Sequence, residues 1–293
     1  MNIVHIGYPK TATTFLQWEV FPRLENYNYI DYHSAHNIFL DLIYLDDLDY
    51  EEGKVRKLLS DKLREGDNLI SYEALSGAPF KFKGLNRSNV PARLKALGFD
   101  KVIITVRDQV SILDSMYRQY VVQGGTMKFQ DFVDVEGKWN PYLRSFNLSY
   151  LKYDRLVERY FDVFGRANVL ILRQEWLKTD PRKFEELLCE FTGDKIEFGQ
   201  SKQANQSLTN VSIKLLRVIN HFTYNSERPS QLISKRISTK LVWKLFAVVL
   251  DPFFFSLFSS RKTFLTDTYI QFVKEYYRES NKRLESLISL NSD

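Results

Sequence analysis

Cysteine is almost absent from this chain: Cys189 is the only one in 293 residues, which excludes a disulfide scaffold and a Cys-based zinc cage and fits a reducing compartment. Glycine (12) and proline (8) are sparse, and no Gly/Ser linker, repeat or low-complexity tract marks a domain boundary. Long apolar runs are missing too. The most lipid-like stretch, Leu241–Phe258, is interrupted by Lys244, Asp251 and Pro252, so no segment reads as membrane-spanning. The opening residues have no basic leader, and the apolar run Ile3–Ile6 is too short for a signal peptide. Charge of one sign is in small excess, 41 Lys and Arg against 36 Asp and Glu. A net +5 suits an anionic ligand but is too small and dispersed for nucleic acid.

What the chain does have is 44% apolar residues, including 22 Phe and 17 Tyr, enough for a bulky packed core. Short β-branched strands alternate with helical patterns over the first two thirds. Strands are expected at Asn2–Ile6, Tyr27–Tyr32, Asn68–Tyr72, Lys101–Val106 and Asn168–Leu172. Helices are expected at Thr13–Val20, His36–Leu45, Glu51–Arg64, Val90–Leu97, Asp108–Val121 and Ser149–Phe164. Asp180 followed by Pro181 predicts a capped helix with Phe184, Leu187, Leu188 and Phe191 on one face. From Thr209 onward only helical patterns occur. The expectation is one α/β domain over 1–293, with a parallel sheet flanked by helices in a 1–208 core and a helical extension at 209–293.

The first strand runs into Gly7-Tyr8-Pro9-Lys10-Thr11-Ala12-Thr13-Thr14 and then a helix. Strand, tight turn and helix N-terminus is the geometry that surrounds a phosphate-like anion with free backbone N–H groups. Against the nucleotide-binding pattern G-x-x-x-x-G-K-[ST], Gly7 matches, but Ala12 stands at the second glycine and Thr13 at the lysine. The cation comes three places earlier, from Lys10 in the turn itself. Further on, the strand Lys101–Val106 ends in Arg107, and Ser115 follows two turns into the next helix. An arginine at the carboxyl end of such a strand points into the crevice where α/β sheets bind ligands, and its fork suits a phosphate.

Residues Tyr8–Gln17 (YPKTATTFLQ) resemble the 5′-phosphosulfate loop of sulfotransferases that use 3′-phosphoadenosine 5′-phosphosulfate (PAPS), and Arg107…Ser115-x-Tyr117 is similar to their 3′-phosphate motif, with Gln109 where a proline is usual. The resemblance implies a P-loop-type fold and a donor site made by Pro9, Lys10, Thr11, Ala12, Thr13 and Thr14 at one end and Arg107 and Ser115 at the other. Glu73, in Ser71-Tyr72-Glu73-Ala74-Leu75-Ser76-Gly77, directly follows the third strand, where carbohydrate sulfotransferases of the heparan and bacterial type carry a Glu base. Ser71 replaces the lysine that the cytosolic members have two places before their base, leaving Lys10 as the cation on the transferring group.

Weaker likenesses extend the resemblance along the chain. Val169–Leu177 resembles the strand before an adenine-binding tyrosine, with Gln174 in the tyrosine's place and Trp176 available to stack; Ser201–Leu208 resembles a closing loop from which Lys202 reaches the 3′-phosphate. Tyr277-x-x-Ser280-Asn281-x-x-Leu284 resembles the closing helix.

Of the four histidines, His5 is expected to be buried in the first strand and His221 to lie on a C-terminal helix, while His33 and His36 can reach an acceptor. No pair has metal-ligand spacing, so no metal is expected. Taken together, these residues lead to the expectation of a PAPS-dependent carbohydrate sulfotransferase with Lys10 and Glu73 catalytic. The resemblance implies a bacterial surface glycan or glycolipid as the acceptor, with Tyr8, Trp139 and Tyr142 as candidate sugar-stacking rings. The alternatives from other classes are a kinase-like phosphotransferase and a non-catalytic nucleotide-binding or membrane-adaptor protein. A cytoplasmic location is expected, with 235–262, basic at both flanks, either buried or resting on an anionic membrane face.

Overall fold

A computed structural model describes residues 1–77, 86–134, 146–196, 208–223, 244–246 and 263–289, with positions 79, 84, 198, 248 and 251. Lys202, Trp139 and Tyr142, and most of 235–262, lie outside the described residues.

The strands form where β-branched and apolar residues run together. They are β1 (Asn2–His5), β2 (Tyr27–Ile30), β3 (Asp67–Ser71), β4 (Lys101–Val106), β5 (Val133–Asp134), β6 (Phe146–Asn147) and β7 (Val169–Arg173). Five of them make one parallel sheet in the order β2-β3-β1-β4-β7. Ile3, Val4, Leu69, Ile70, Val102, Ile103 and Ile104 are fully buried, as expected of parallel strands covered on both faces. The fold is therefore the parallel α/β sheet that the alternating pattern implies. β5 and β6 form a separate two-residue parallel pairing that the pattern does not foreshadow.

The chain divides into two compact units, 1–108 with 148–202 and 276–293, and 109–147 with 203–275. The first contains the five-stranded sheet. Its core joins Ile3, Leu69, Ile103 and Leu172 of the strands to Leu16, Val20, Phe21, Phe184 and Leu188 of the helices. The second is built around the helix Gln109–Val122, whose Tyr117 and Tyr120 pack on Phe132, with Arg118 holding Asp114 and the Leu208 carbonyl.

Several boundaries shift for local reasons. The helix after β2 spans Tyr32–Tyr44, starting four residues earlier than expected, because Asp31 caps it by accepting from the His33 and Ser34 amides. The Asp180 cap accepts from Lys183 N and opens Pro181–Thr192 as anticipated. In the last helix, Asp267–Ser289, Tyr277 donates to the Leu148 carbonyl (2.6 Å) and Ser280 to Asp154, all four residues belonging to the first unit.

The strand order decides where a ligand would sit. From β1 the chain goes to β2 and β3 on one side, then crosses to β4 on the other, so β1 and β4 flank the topological switch point. At the carboxyl edge, His5 is level with Ser71 and Ile103, and the pairing continues past the strand as Ile6 N donates to Ile103 O and Tyr8 N to Thr105 O. The Lys10 turn, Glu73 and Arg107 thus emerge on the same edge.

Candidate functional site

The loop after β1 departs from ordinary backbone at two places: Lys10 (φ 68°) and Ala12 (φ 66°) are both left-handed without being glycine. Non-glycine residues there are uncommon and strained, and they cluster at ligand clamps. Alternation of this kind turns successive N–H groups toward one side, making a concavity for an anion. The helix begins at Thr13, with Leu16 N donating to Ala12 O, so the loop runs straight into a helix start that has no side-chain cap.

The side chains of the loop divide by direction. Thr11 is buried, donates to the Tyr8 carbonyl (2.5 Å) and lies 2.6 Å from Thr105 Oγ1, so its hydroxyl faces inward and only its backbone is left for an anion. Thr13, also buried, donates to Glu73 Oε2 at 2.6 Å. Thr14 is exposed, and Pro9 is buried beneath the turn. Tyr8 is fully buried, edge-on to Tyr150 and Tyr153 at 5.1 and 4.6 Å, which corrects its expected role as a sugar platform: it is a wall of the loop's seat.

Lys10, Glu73 and Arg107 interact. Burial raises the Glu73 carboxyl above the ordinary glutamate range, while the Thr13 hydrogen bond and the Lys10 charge pull it back down. Although Lys10 is exposed as a residue, packing around its ammonium lowers its pKa; Glu73 opposes that shift and Arg107 adds to it. Arg107 Nη1 donates to the Lys10 carbonyl at 3.0 Å, while its Nε is buried without a partner. The Arg107 carbonyl accepts from Tyr153 (2.8 Å), and the next amide, Asp108 N, donates to Glu175 Oε1 (2.8 Å). A guanidinium with its backbone fixed on both sides and one buried donor unused is suited to receive an oxyanion.

Ser115 is half-buried on the helix Gln109–Val122 and belongs to the second unit. Trp176 packs against the core with the Lys183 ammonium 4.4 Å from its ring centroid, so that ring already has company.

Beside Glu73 stands a ring cluster that sequence reasoning only half identified. His36 Nδ1 is 2.6 Å from Tyr72 Oη, and the Tyr32 ring lies 5.2 Å from Tyr72 and 5.7 Å from His33. Burial raises the pKa of both Tyr32 and Tyr72, and the nearby Glu73 charge adds to each shift. The missed signal is Asp31: as an N-cap it moves the helix start to Tyr32 and brings Tyr32, His33 and His36 onto that first turn and a half. Among the described residues no cluster of His, Cys, Asp and Glu could hold a metal ion.

The fold is similar to that of a sulfotransferase of known structure. The crystal structure of a sulfotransferase from Alicyclobacillus acidocaldarius superposes with a TM-score of 0.51 at 18% identity, covering 75% of this chain and 92% of that one. The mouse sulfotransferase SULT7A1, complexed with PAP, matches 94% of this chain and 88% of its own at 16% identity and a TM-score of 0.38. A sulfotransferase domain from the curacin biosynthetic pathway matches 67% of this chain and 75% of its own, at 16% identity and again a TM-score of 0.38. No protein-family model and no curated protein sequence matches the chain. At such identities the likeness is one of fold.

Proposed function

We propose that this protein is a PAPS-dependent sulfotransferase acting on a hydroxyl or amine of a carbohydrate or glycolipid. The observation that carries this reading is the meeting of Lys10, Thr13, Glu73 and Arg107 around a loop with two left-handed residues at the carboxyl edge of β1. The loop amides and the helix start suit the 5′-phosphosulfate, and the free Nε of Arg107 suits the 3′-phosphate, to which Ser115 and Lys202 are further proposed donors.

In the reaction, the acceptor oxygen attacks sulfur and forms the new S–O bond as the bond to the bridging oxygen breaks, leaving adenosine 3′,5′-bisphosphate (PAP). Glu73 takes the acceptor's proton; a carboxyl raised by burial is better matched to that task than a solvated one. Lys10 stabilises charge developing on the bridging oxygen. The Tyr32 ring near Glu73, with His33 edge-on to it, supports a sugar as the acceptor, since pyranose faces pack on aromatic rings. The test is transfer of ³⁵S from labelled PAPS to a glycan panel, with Glu73→Gln as control. Turnover of ATP with magnesium in place of sulfate transfer would overturn the reading in favour of a phosphotransferase.

We propose also that the second unit rests on anionic lipid. Residues 203–275 carry ten Lys and Arg against four Asp and Glu, whereas 109–147 balance at four of each, so this unit holds more than the chain's whole net positive charge. Lys214, Leu215, Val218 and Phe222 are exposed together on and just after the helix Asn210–Ile219. Exposed apolar side chains beside Lys214, in a unit of net positive charge, fit an interfacial contact.

A further inference from the structure

Beneath the loop, five buried polar side chains from five segments of the first unit connect end to end. Gln17 Nε2 donates to Ser71 Oγ (3.1 Å), Ser71 Oγ lies 2.7 Å from His5 Nδ1, His5 Nε2 lies 3.2 Å from Thr105 Oγ1, and Thr105 Oγ1 lies 2.6 Å from Thr11 Oγ1. Thr11 Oγ1 in turn donates to the Tyr8 carbonyl.

Each hydroxyl has one proton to give, and that count determines the direction of every link. Thr11 gives its proton to Tyr8 O, so the Thr11–Thr105 contact requires Thr105 to donate. Thr105 then has no proton left for His5 and must accept from it, so His5 carries its proton on Nε2. Desolvation of the fully buried ring pushes its pKa down to about 3 and keeps it neutral, so Nδ1 is the acceptor, and Ser71 donates to it while accepting from Gln17. All five groups are satisfied in one direction, by one tautomer of one ring.

We infer that His5 is a positioning residue for the anion loop: as the Nε2–H tautomer it ties β3 to β4 and, through Thr105, holds Thr11 between the two left-handed residues. This inference rests on the proposed function for what the loop binds, though not for the network itself. Thr11 is flanked by Lys10 (φ 68°) and Ala12 (φ 66°), and such backbone persists only where surrounding contacts over-determine it. The inward hydroxyl of Thr11 is the side-chain anchor at that point, and His5 fixes the partner of that anchor. Gly7 leaves the space for it: a Cβ there would lie 2.0 Å from Thr105 Oγ1 and 2.6 Å from His5 Nε2. A direct acid–base role does not fit, because both ring nitrogens are engaged and the ring is fully buried, edge-on to Phe21.

The first measurement is the tautomeric state of His5 in the ¹⁵N-histidine-labelled full chain by long-range ¹H–¹⁵N NMR. The expected result is a neutral Nε2–H ring throughout pH 5–8; an Nδ1–H tautomer, or titration in that range, overturns the inference. The second compares His5→Gln with His5→Asn. Gln carries an amide N–H out to the Nε2 position, keeping the link to Thr105, whereas Asn stops at the Nδ1 position and loses it. With PAP as the probe in calorimetry and a urea midpoint measured beside it, His5→Asn is expected to weaken binding about tenfold or more and His5→Gln about threefold or less. Equal losses, or losses that simply follow the urea midpoints, would assign His5 to packing alone. If the unaltered protein does not bind PAP, the proposed function fails. The tautomer and the hydrogen exchange of the Thr11–Thr14 amides in the two variants still decide the role of His5.

Discussion

Glu73 lies between opposing influences: desolvation favours its proton, while Thr13 and Lys10 favour its charge. Activity that needs the carboxylate should therefore fall away on the acid side at a higher pH than an ordinary glutamate would give. Removing the Thr13 donor removes one of the two groups holding that pKa down. Thr13→Val is thus expected to move the acid limb of kcat/KM upward, and a limb that moves downward or stays in place would disconnect Thr13 from the base. Glu73→Gln should lower kcat by about 10²–10⁴ with PAP affinity retained. Linkage gives the sign for stability. A carboxyl whose folded pKa is raised binds its proton more tightly in the folded state, so its contribution declines as pH rises through the window between the unfolded and folded values. Glu73→Gln should then remove that decline from a urea-midpoint-against-pH series. At Arg107 the expectation is different in kind. Arg107→Ala deletes both the unused Nε and the bond to Lys10 O, and should raise the KM for PAPS about 10- to 100-fold with a smaller change in kcat, read from initial rates.

At the scale of elements, the β1–loop–helix unit has little slack. Gly7→Ala puts a methyl against Thr105 and His5 and is expected to cost about 1–3 kcal/mol, visible as a lower Tm in calorimetry. Ala12 behaves oppositely. Its left-handed backbone costs about 1–2 kcal/mol, against roughly 0.4–1 kcal/mol for the added unfolded-state freedom of a glycine, so Ala12→Gly should raise stability by up to about 1.6 kcal/mol. A lower Tm in that variant would mean the φ of 66° is not strained in this setting. The strands were legible because parallel strands buried on both faces must be almost wholly apolar over four to six residues, as in Lys101–Val106. Helix starts were less so: Asp31 lies in a run of polar and aromatic residues, and only its bonds to the His33 and Ser34 amides identify it as a cap.

At the scale of the whole molecule, charge and chemistry are assigned to different units: the candidate loop, base and arginine to the first, the net positive charge to the second. Co-sedimentation is expected with vesicles rich in phosphatidylglycerol and not with phosphatidylcholine alone, weakening sharply between 0.05 and 0.5 M salt on the scale of the shrinking Debye length. Neutral-vesicle binding of equal strength would remove the electrostatic part of that proposal.

The order of residues alone determined the parallel α/β class, because hydrophobic period and turn chemistry are local properties of the chain. It also singled out Lys10, Glu73 and Arg107, since Glu73 and Arg107 directly follow readable strands, Lys10 lies in the turn after another, and the ends of parallel strands share one edge. Only the tertiary structure decided what those residues do to one another. The Thr13–Glu73 bond joins positions 60 apart, the Arg107–Lys10 bond positions 97 apart, and the His5–Thr105 contact positions 100 apart. Which hydroxyl turns inward, which guanidinium nitrogen stays unpaired and which tautomer a buried ring adopts depend on neighbours brought together by sheet register, and no local pattern encodes them.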